Sequence, residues 1–237
     1  MDANKNQLKH PKAVLITGAA GRIGLELAKE CLELGYHVIA HYRSSPEPAR
    51  SAFMSDKRVA FIPAELTEPL QKLMDEVKKL PVTLVGLINN AAVFQTGDIS
   101  DPEHFVDTLS INTIAPLKLS VAFAKCVDNG WIINITDART RHKNKKYQNY
   151  RVSKVFLDEI TRQLAFLYAP SIRVNAIAPG AVLPADSEPP NRFADLSTHI
   201  PMGKTGNPSN IRQTLRFLIE NNYVTGTVIP VDGGWGL

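Results

Sequence analysis

A chain of 237 residues, 44% hydrophobic and 21% charged, is long enough to bury the core of one α/β domain and sits near the globular average in composition. No apolar run reaches the roughly 18 residues of a membrane span, and the polar start Met1-Asp2-Ala3-Asn4 lacks the apolar middle of a signal peptide, so a cytoplasmic protein without membrane contact is expected. The net charge is +4, and residues 139–146 alone hold five Lys or Arg and no acid; the surplus is local, which argues against a nucleic-acid-binding surface and for either a solvated loop or a positive rim that steers anionic ligands.

Residues 1–11 read as a polar tail and 12–237 as a single domain. An apolar strand over 12–17 runs into Gly18-Ala19-Ala20-Gly21-Arg22-Ile23-Gly24, and a helix follows with Ile23, Leu27, Cys31 and Leu34 on one face, closed by Gly35. Strand, glycine turn and helix in succession form a phosphate cradle. Small residues let the backbone approach a pyrophosphate, and the helix N-terminus adds N–H donors and a partial positive charge. Cys31 and Cys126 fall in predicted helices, show no metal-ligand spacing, and are expected as two buried, reduced thiols.

The second strand, 37–42, ends in Tyr42-Arg43-Ser44-Ser45. In a dinucleotide-binding fold this strand end meets the adenosine ribose, where an acid would bind the 2′-hydroxyl of NAD; Arg43 with Ser44 suits a 2′-phosphate and so NADPH, the alternative being an exposed arginine in a turn. A third strand (59–63), a helix (67–79) and a fourth strand (84–91) follow, the last turning at Asn89-Asn90-Ala91-Ala92 where open parallel sheets place ligands. Ser100-Asp101-Pro102-Glu103 reads as a capping box that opens a helix through about Lys125. Within it, Asn112 has poor helix propensity and Pro116 disturbs the hydrogen-bond ladder, so either a polar group exposed by a kink or a plain surface asparagine is expected.

The stretch from Asp137 to Lys154 is the centre of the reading. It leaves a buried strand at 131–136 and ends in Tyr150-x-x-x-Lys154 at the start of a helix over 151–169. Residues four apart share a helix face, so phenol and ammonium look into one cleft; the Lys charge is expected to lower the phenol pKa and give a proton-transfer group. A sixth strand (171–178) ends in Pro179-Gly180, the proline-containing stretch 181–206 reads as a substrate loop, a helix opens at Pro208, and a last strand (224–231) precedes Asp232-Gly233-Gly234-Trp235. Strands alternating with helices throughout predict one doubly wound parallel sheet of about seven strands, a Rossmann-type α/β fold.

Thr17-Gly18 with Gly24, Asn89-Asn90-Ala91, Asn112, Tyr150-x-x-x-Lys154, Pro179-Gly180 and Asp232-Gly233-Gly234, in this order, resemble the short-chain dehydrogenase/reductase family. The resemblance implies a nicotinamide cofactor, a small-molecule substrate, a homotetramer and catalysis through Asn112, Asp137, Tyr150 and Lys154. It carries cofactor contacts to Thr17, Gly18, Arg22, Ile23, Gly24, Tyr42, Arg43, Ser44, Glu65, Leu66, Asn90, Ala91, Tyr150, Lys154, Pro179 and Gly180. Two positions depart from the common pattern: Asp137 stands where the family usually has Ser, and Arg22 where it usually has Gly. Pteridine reductases and dihydromonapterin reductases share both departures, which implies a pterin held by Arg22, Phe94, Asp137 and Tyr150, with Phe94 stacking on the ring. Phe94 as a loop aromatic packed into the core is the other reading. Gly21, where these enzymes often carry a basic residue, and Glu65, in place of an Asp near the adenine, differ from their pattern. An ordinary carbonyl reductase, of the oxoacyl-carrier-protein type, and a non-catalytic NADPH-sensing scaffold are the rival functions.

Overall fold

In the computed structural model, the described residues are 10–140, 145–184, 193 and 195–237. They form one seven-stranded sheet, every neighbouring pair parallel, in the order β3-β2-β1-β4-β5-β6-β7. The strands are β1 (Lys12–Ile16), β2 (His37–Tyr42), β3 (Val59–Pro63), β4 (Thr83–Asn89), β5 (Gly130–Ile135), β6 (Ile172–Pro179) and β7 (Val228–Val231). The helices are α1 (Arg22–Glu33), α2 (Ala49–Ala52), α3 (Gln71–Lys79), α4 (Pro102–Leu109), α5 (Ala115–Ala124), α6 (Gln148–Tyr168) and α7 (Pro208–Glu220). The short α2 and a single 3₁₀ turn, Leu196–His199, had no clear signal in the sequence.

Strand residues alternate between two cores, because successive side chains leave a strand on opposite faces. Val14, Ile16 and Ile133 pack on one face beneath Leu27 of α1 and Ile211, Leu215 and Leu218 of α7. Ala13, Leu15 and Ile132 pack on the other beneath α3, α5 and α6, where Met74, Leu119, Phe123 and Leu164 fill the layer. Glu30 of α1, almost fully buried, accepts from both Arg212 (2.9 Å) and Arg216 (2.6 Å) of α7 and ties the two helices of the first face together.

Strand order reverses between β1 and β4, and such a switch point opens a crevice at the carboxyl ends of the strands. A buried polar chain crosses the sheet just behind it. Asn89 donates to Asn134 Oδ1 at 2.8 Å and to Ser120 Oγ at 3.2 Å, and Asn134 donates to Thr161 Oγ1 at 2.8 Å, locking β4, β5, α5 and α6 in register.

Three sequence expectations change. The cap of α4 is Asp101, whose carboxylate accepts from His104 N at 3.1 Å, while Ser100 bonds Asp98 instead of opening a capping box. The long helix is broken into α4, a π-helical turn at Ser110–Ile114, and α5. Cys126 lies in the turn after α5 and is exposed, since that helix ends at Ala124; Cys31 is buried as expected, and burial pushes its thiol pKa far up. Of the expected substrate loop, residues 185–192 and 194 lie outside the described residues.

Candidate active site

The crevice is a cleft of about 820 Å³ that runs from the glycine turn to the start of α6. Asp137 leaves the carboxyl end of β5 and looks across at Tyr150. One carboxylate oxygen accepts from the Arg139 backbone N–H at 2.7 Å and the other from the Tyr150 hydroxyl at 3.1 Å. Lys154, one turn further along α6, is buried and donates to the Ile135 carbonyl at 2.8 Å; its ammonium lies 5.8 Å from the Tyr150 ring centroid. The helical spacing therefore does bring phenol and ammonium to one wall.

The electrostatics differ from the sequence expectation. Tyr150 is held well above the usual phenol pKa, first by desolvation and then by the Asp137 carboxylate. Lys154 does not override this, because burial brings its own pKa down to about 8. Desolvation also raises Asp137, against the pull of the Arg139 N–H, Tyr150, Lys154 and Arg151. In this pair the phenol is thus a neutral proton donor and the carboxylate its acceptor.

Asn112 sits in the π-helical turn, fully buried. Its amide oxygen accepts from Val93 N at 2.8 Å, and its nitrogen donates to Val93 O and Ser153 Oγ, both at 3.0 Å. Ser153 in turn donates to Tyr150 O at 2.6 Å. The expected kink is present, but it turns Asn112 inward: the side chain does not line the cleft, and it positions the 93–97 loop against α6. A bridge between Gly97 and Tyr147 fastens the same loop, and a side chain at Gly97 would collide with His104 and Asn149.

Phe94 is 55% exposed at the rim, which excludes the core-packed reading. Its ring stacks on Tyr147 at 4.5 Å and 11° and meets Tyr150 edge-on at 4.7 Å. Tyr147, the residue that immediately precedes α6, was not singled out in the sequence.

At the other end, Gly18 adopts φ +63°, and a Cβ on Gly24 would stand 2.1 Å from the Gly18 carbonyl. Arg22 also has positive φ, 54°, a conformation that explains why glycine suits this position and that costs a side-chain-bearing residue about 1–2 kcal/mol. Its guanidinium reaches Pro184 O at 3.0 Å. Asn90 donates to Thr17 O and Gly18 O, both at 3.0 Å, and Thr17 Oγ1 accepts from Asn90 N and Ala91 N. His41, also not anticipated, accepts from Gly18 N at 3.2 Å and bonds Ala64 O at 3.0 Å; this pairing fits a neutral ring protonated on Nε2, and burial lowers its pKa.

Gly18, Arg22, Ile23, Gly24, Arg43, Glu65, Leu66, Asn90, Ala91, Phe94, Asp137, Tyr150, Lys154, Pro179 and Gly180 all line the cleft. Thr17, Tyr42 and Ser44 do not: Thr17 is buried behind the turn it braces, and Tyr42 and Ser44 are placed off the cleft wall. Arg151 and Trp235 line it without having been picked out as site residues, and so does Arg139, the first residue of the basic run read as either a solvated loop or a positive rim.

A family model described as enoyl-(acyl carrier protein) reductase matches residues 18–236. The chain belongs to the short-chain dehydrogenase/reductase family. It is 30% identical to the dihydromonapterin reductase of Enterobacter sp. (94% of this chain, 96% of that one) and 32% identical to protein FixR of Bradyrhizobium diazoefficiens (94% and 86%). Among solved structures it is similar to FolM alternative dihydrofolate reductase 1 from Brucella suis in complex with NADP, with a TM-score of 0.88, 29% identity and 94% coverage of each chain. No helix among the described residues is long and apolar enough to cross a membrane.

Proposed function

We propose that this member of the short-chain dehydrogenase/reductase family is an NADPH-dependent reductase of a pterin C=N bond, converting a dihydropterin, dihydromonapterin or dihydrofolate to its tetrahydro form. The observation that carries this reading is the hydrogen bond from Tyr150 to the Asp137 carboxylate, at a place where relatives usually present a serine hydroxyl. The named similarity to dihydromonapterin reductase and to an alternative dihydrofolate reductase supports it.

The residues present fit the dinucleotide. Gly18 and Gly24 leave a cradle that a Cβ would fill, and the first turn of α1 carries no acid and no side-chain cap, so its N–H donors suit a pyrophosphate. Arg43 lines the cleft at the end of β2 with no acid nearby in Tyr42–Ser45, which suits a 2′-phosphate. When bound, the dinucleotide supplies the hydride. Lys154, Asn90 and Pro179 line the cleft and would hold its nicotinamide end. Phe94 and Tyr147, which stack on each other, both line the cleft and would flank a flat heterocycle bound there. Tyr150 would donate its hydroxyl proton to the ring nitrogen as the adjacent carbon is reduced, and Asp137, already bonded to that hydroxyl, would take a proton from solvent and pass it to the phenolate.

A carboxylate is a poor neighbour for a ketone. About 4 Å from an oxygen gaining negative charge, it opposes the change by roughly 4 kcal/mol at an effective dielectric of 20, which is about a thousandfold in rate. A C=N bond reverses the requirement, since its nitrogen must gain a proton. The second reading, a carbonyl reductase, is favoured by the raised Asp137 pKa: a protonated Asp137 would be a neutral donor like serine. NADPH oxidation measured against dihydropterins, dihydrofolate and β-ketoesters separates the two. Faster turnover of a dihydropterin or dihydrofolate is expected; faster turnover of a β-ketoester would overturn the pterin reading.

A further inference from the structure

We propose that Arg139 and Arg151 form a subsite for an anionic substituent, a carboxylate or a phosphate, on the molecule reduced in this cleft. Calling that molecule a substrate rests on the pterin-reductase reading; the subsite itself rests on geometry. Arg139 leaves β5 two residues after Asp137 and lines the cleft with Arg151, Leu196 and Trp235. Its guanidinium lies over the Trp235 ring, 4.2 Å from the centroid. Stacking occupies the flat face of a guanidinium and leaves the N–H edge for ligands. The Arg139 Nε is buried and has no hydrogen-bond partner. Arg151, in the first turn of α6, donates to the Arg139 carbonyl at 2.5 Å and so brings a second cation into the same corner.

Among the described residues, neither arginine makes an ion pair. The acids nearby are engaged elsewhere. Asp137 accepts from the Arg139 backbone N–H and from Tyr150, and Asp232 accepts from Gly234 N at 2.9 Å and Gly236 N at 2.6 Å. Burial and the Arg139 charge both disfavour the charged form of Arg151, while the Asp137 charge opposes them. Two cations partly withdrawn from water, with the Asp137 charge nearby but no ion pair to it, are costly, and an anion held on a fixed N–H edge offsets that cost. Asp137 separates the corner from Tyr150, with one oxygen toward each. A molecule with its reducible bond at Tyr150 therefore reaches the arginines with a side chain, not with the reacting ring. This narrows the substrate class to ring systems bearing an acidic substituent over those with only neutral hydroxylated ones.

The test is calorimetric titration of the full chain, saturated with NADP, with 4-aminobenzoate, phenyl phosphate and neutral 4-aminobenzamide. At least one acid is expected to bind about tenfold tighter than the amide, and whichever acid is tighter identifies the source of the anion. In Arg139→Met, which keeps an apolar stem on Trp235 and removes the charge, the preference is expected to vanish; in Arg139→Lys part of it should return. Equal binding of acid and amide by the unmodified protein, no detectable binding of either acid, or an undiminished preference in Arg139→Met would each overturn the subsite. The first two outcomes need no variant to fold. Dihydropterin turnover is measured separately: its absence beside an intact acid preference removes the pterin reading and leaves the subsite standing.

Discussion

Asp137, Tyr150 and Lys154 are drawn out of water together, and desolvation pushes each toward its neutral form. For Asp137 and Tyr150 that means a raised pKa, and for Lys154 a pKa lowered to about 8. Lys154 is thus charged below about pH 8 and neutral above it. If its charge holds the dinucleotide, kcat/KM for NADPH stays level on the acid side and falls as pH rises through about 8. A pH profile with no break there would contradict the role. The identities and spacing of these residues were legible in the sequence, because i and i+4 on a helix share a face and Asp137 ends a recognisable strand. The direction of the phenol shift was not, because it depends on burial, which spacing does not report. Arg139 was legible as the first of a basic run, but its pairing with Trp235 was not, because the C-terminal turn meets the segment after β5 only in three dimensions, where a side chain at Gly236 would strike Ala138 O.

At the scale of elements, the π-helical turn is the device that anchors the cleft wall. Pro116 and Asn112 signalled an interruption in a helix, yet nothing in the sequence said that Asn112 would reach Val93 and Ser153. Asn112→Ala strips three hydrogen bonds and leaves Val93 N–H unpaired in a partly buried setting. A loss of about 2–4 kcal/mol in stability is expected by denaturant unfolding, with a lower kcat. A variant within 1 kcal/mol of the parent would show that the turn is held by other contacts. The glycine turn makes a sharper case. Gly24→Ala places a methyl 2.1 Å from Gly18 O and 2.7 Å from Asn90 Nδ2, so the cradle must open. Its affinity for NADPH, read by fluorescence titration, should fall by at least tenfold, about 1.4 kcal/mol.

For the whole molecule, the alternating periodicity gave the parallel sheet, and the two faces of each strand account for the two cores. What it left open is the outer surface. Val155, Phe156, Phe166 and Leu167 of α6 and Val106 of α4 are exposed, Phe166 at 89%. Apolar side chains clustered on neighbouring helices are the kind of surface that a second copy covers. We expect the homotetramer implied by the family resemblance, with α6 at an interface, so light scattering should give four times the chain mass and Phe166→Glu a smaller species. A monomeric parent protein would remove that expectation and leave the cleft unchanged.

The central claim is that a carboxylate at position 137 suits the protonation of nitrogen and opposes charge growth on a ketone oxygen. Its most direct test is the ratio of kcat/KM for a dihydropterin to that for a β-ketoester, compared between the parent protein and Asp137→Ser. The account predicts that the serine variant loses dihydropterin reduction while ketoester reduction holds or rises, moving the ratio by about a thousandfold. A ratio that stays where it was, with both activities intact, would contradict it.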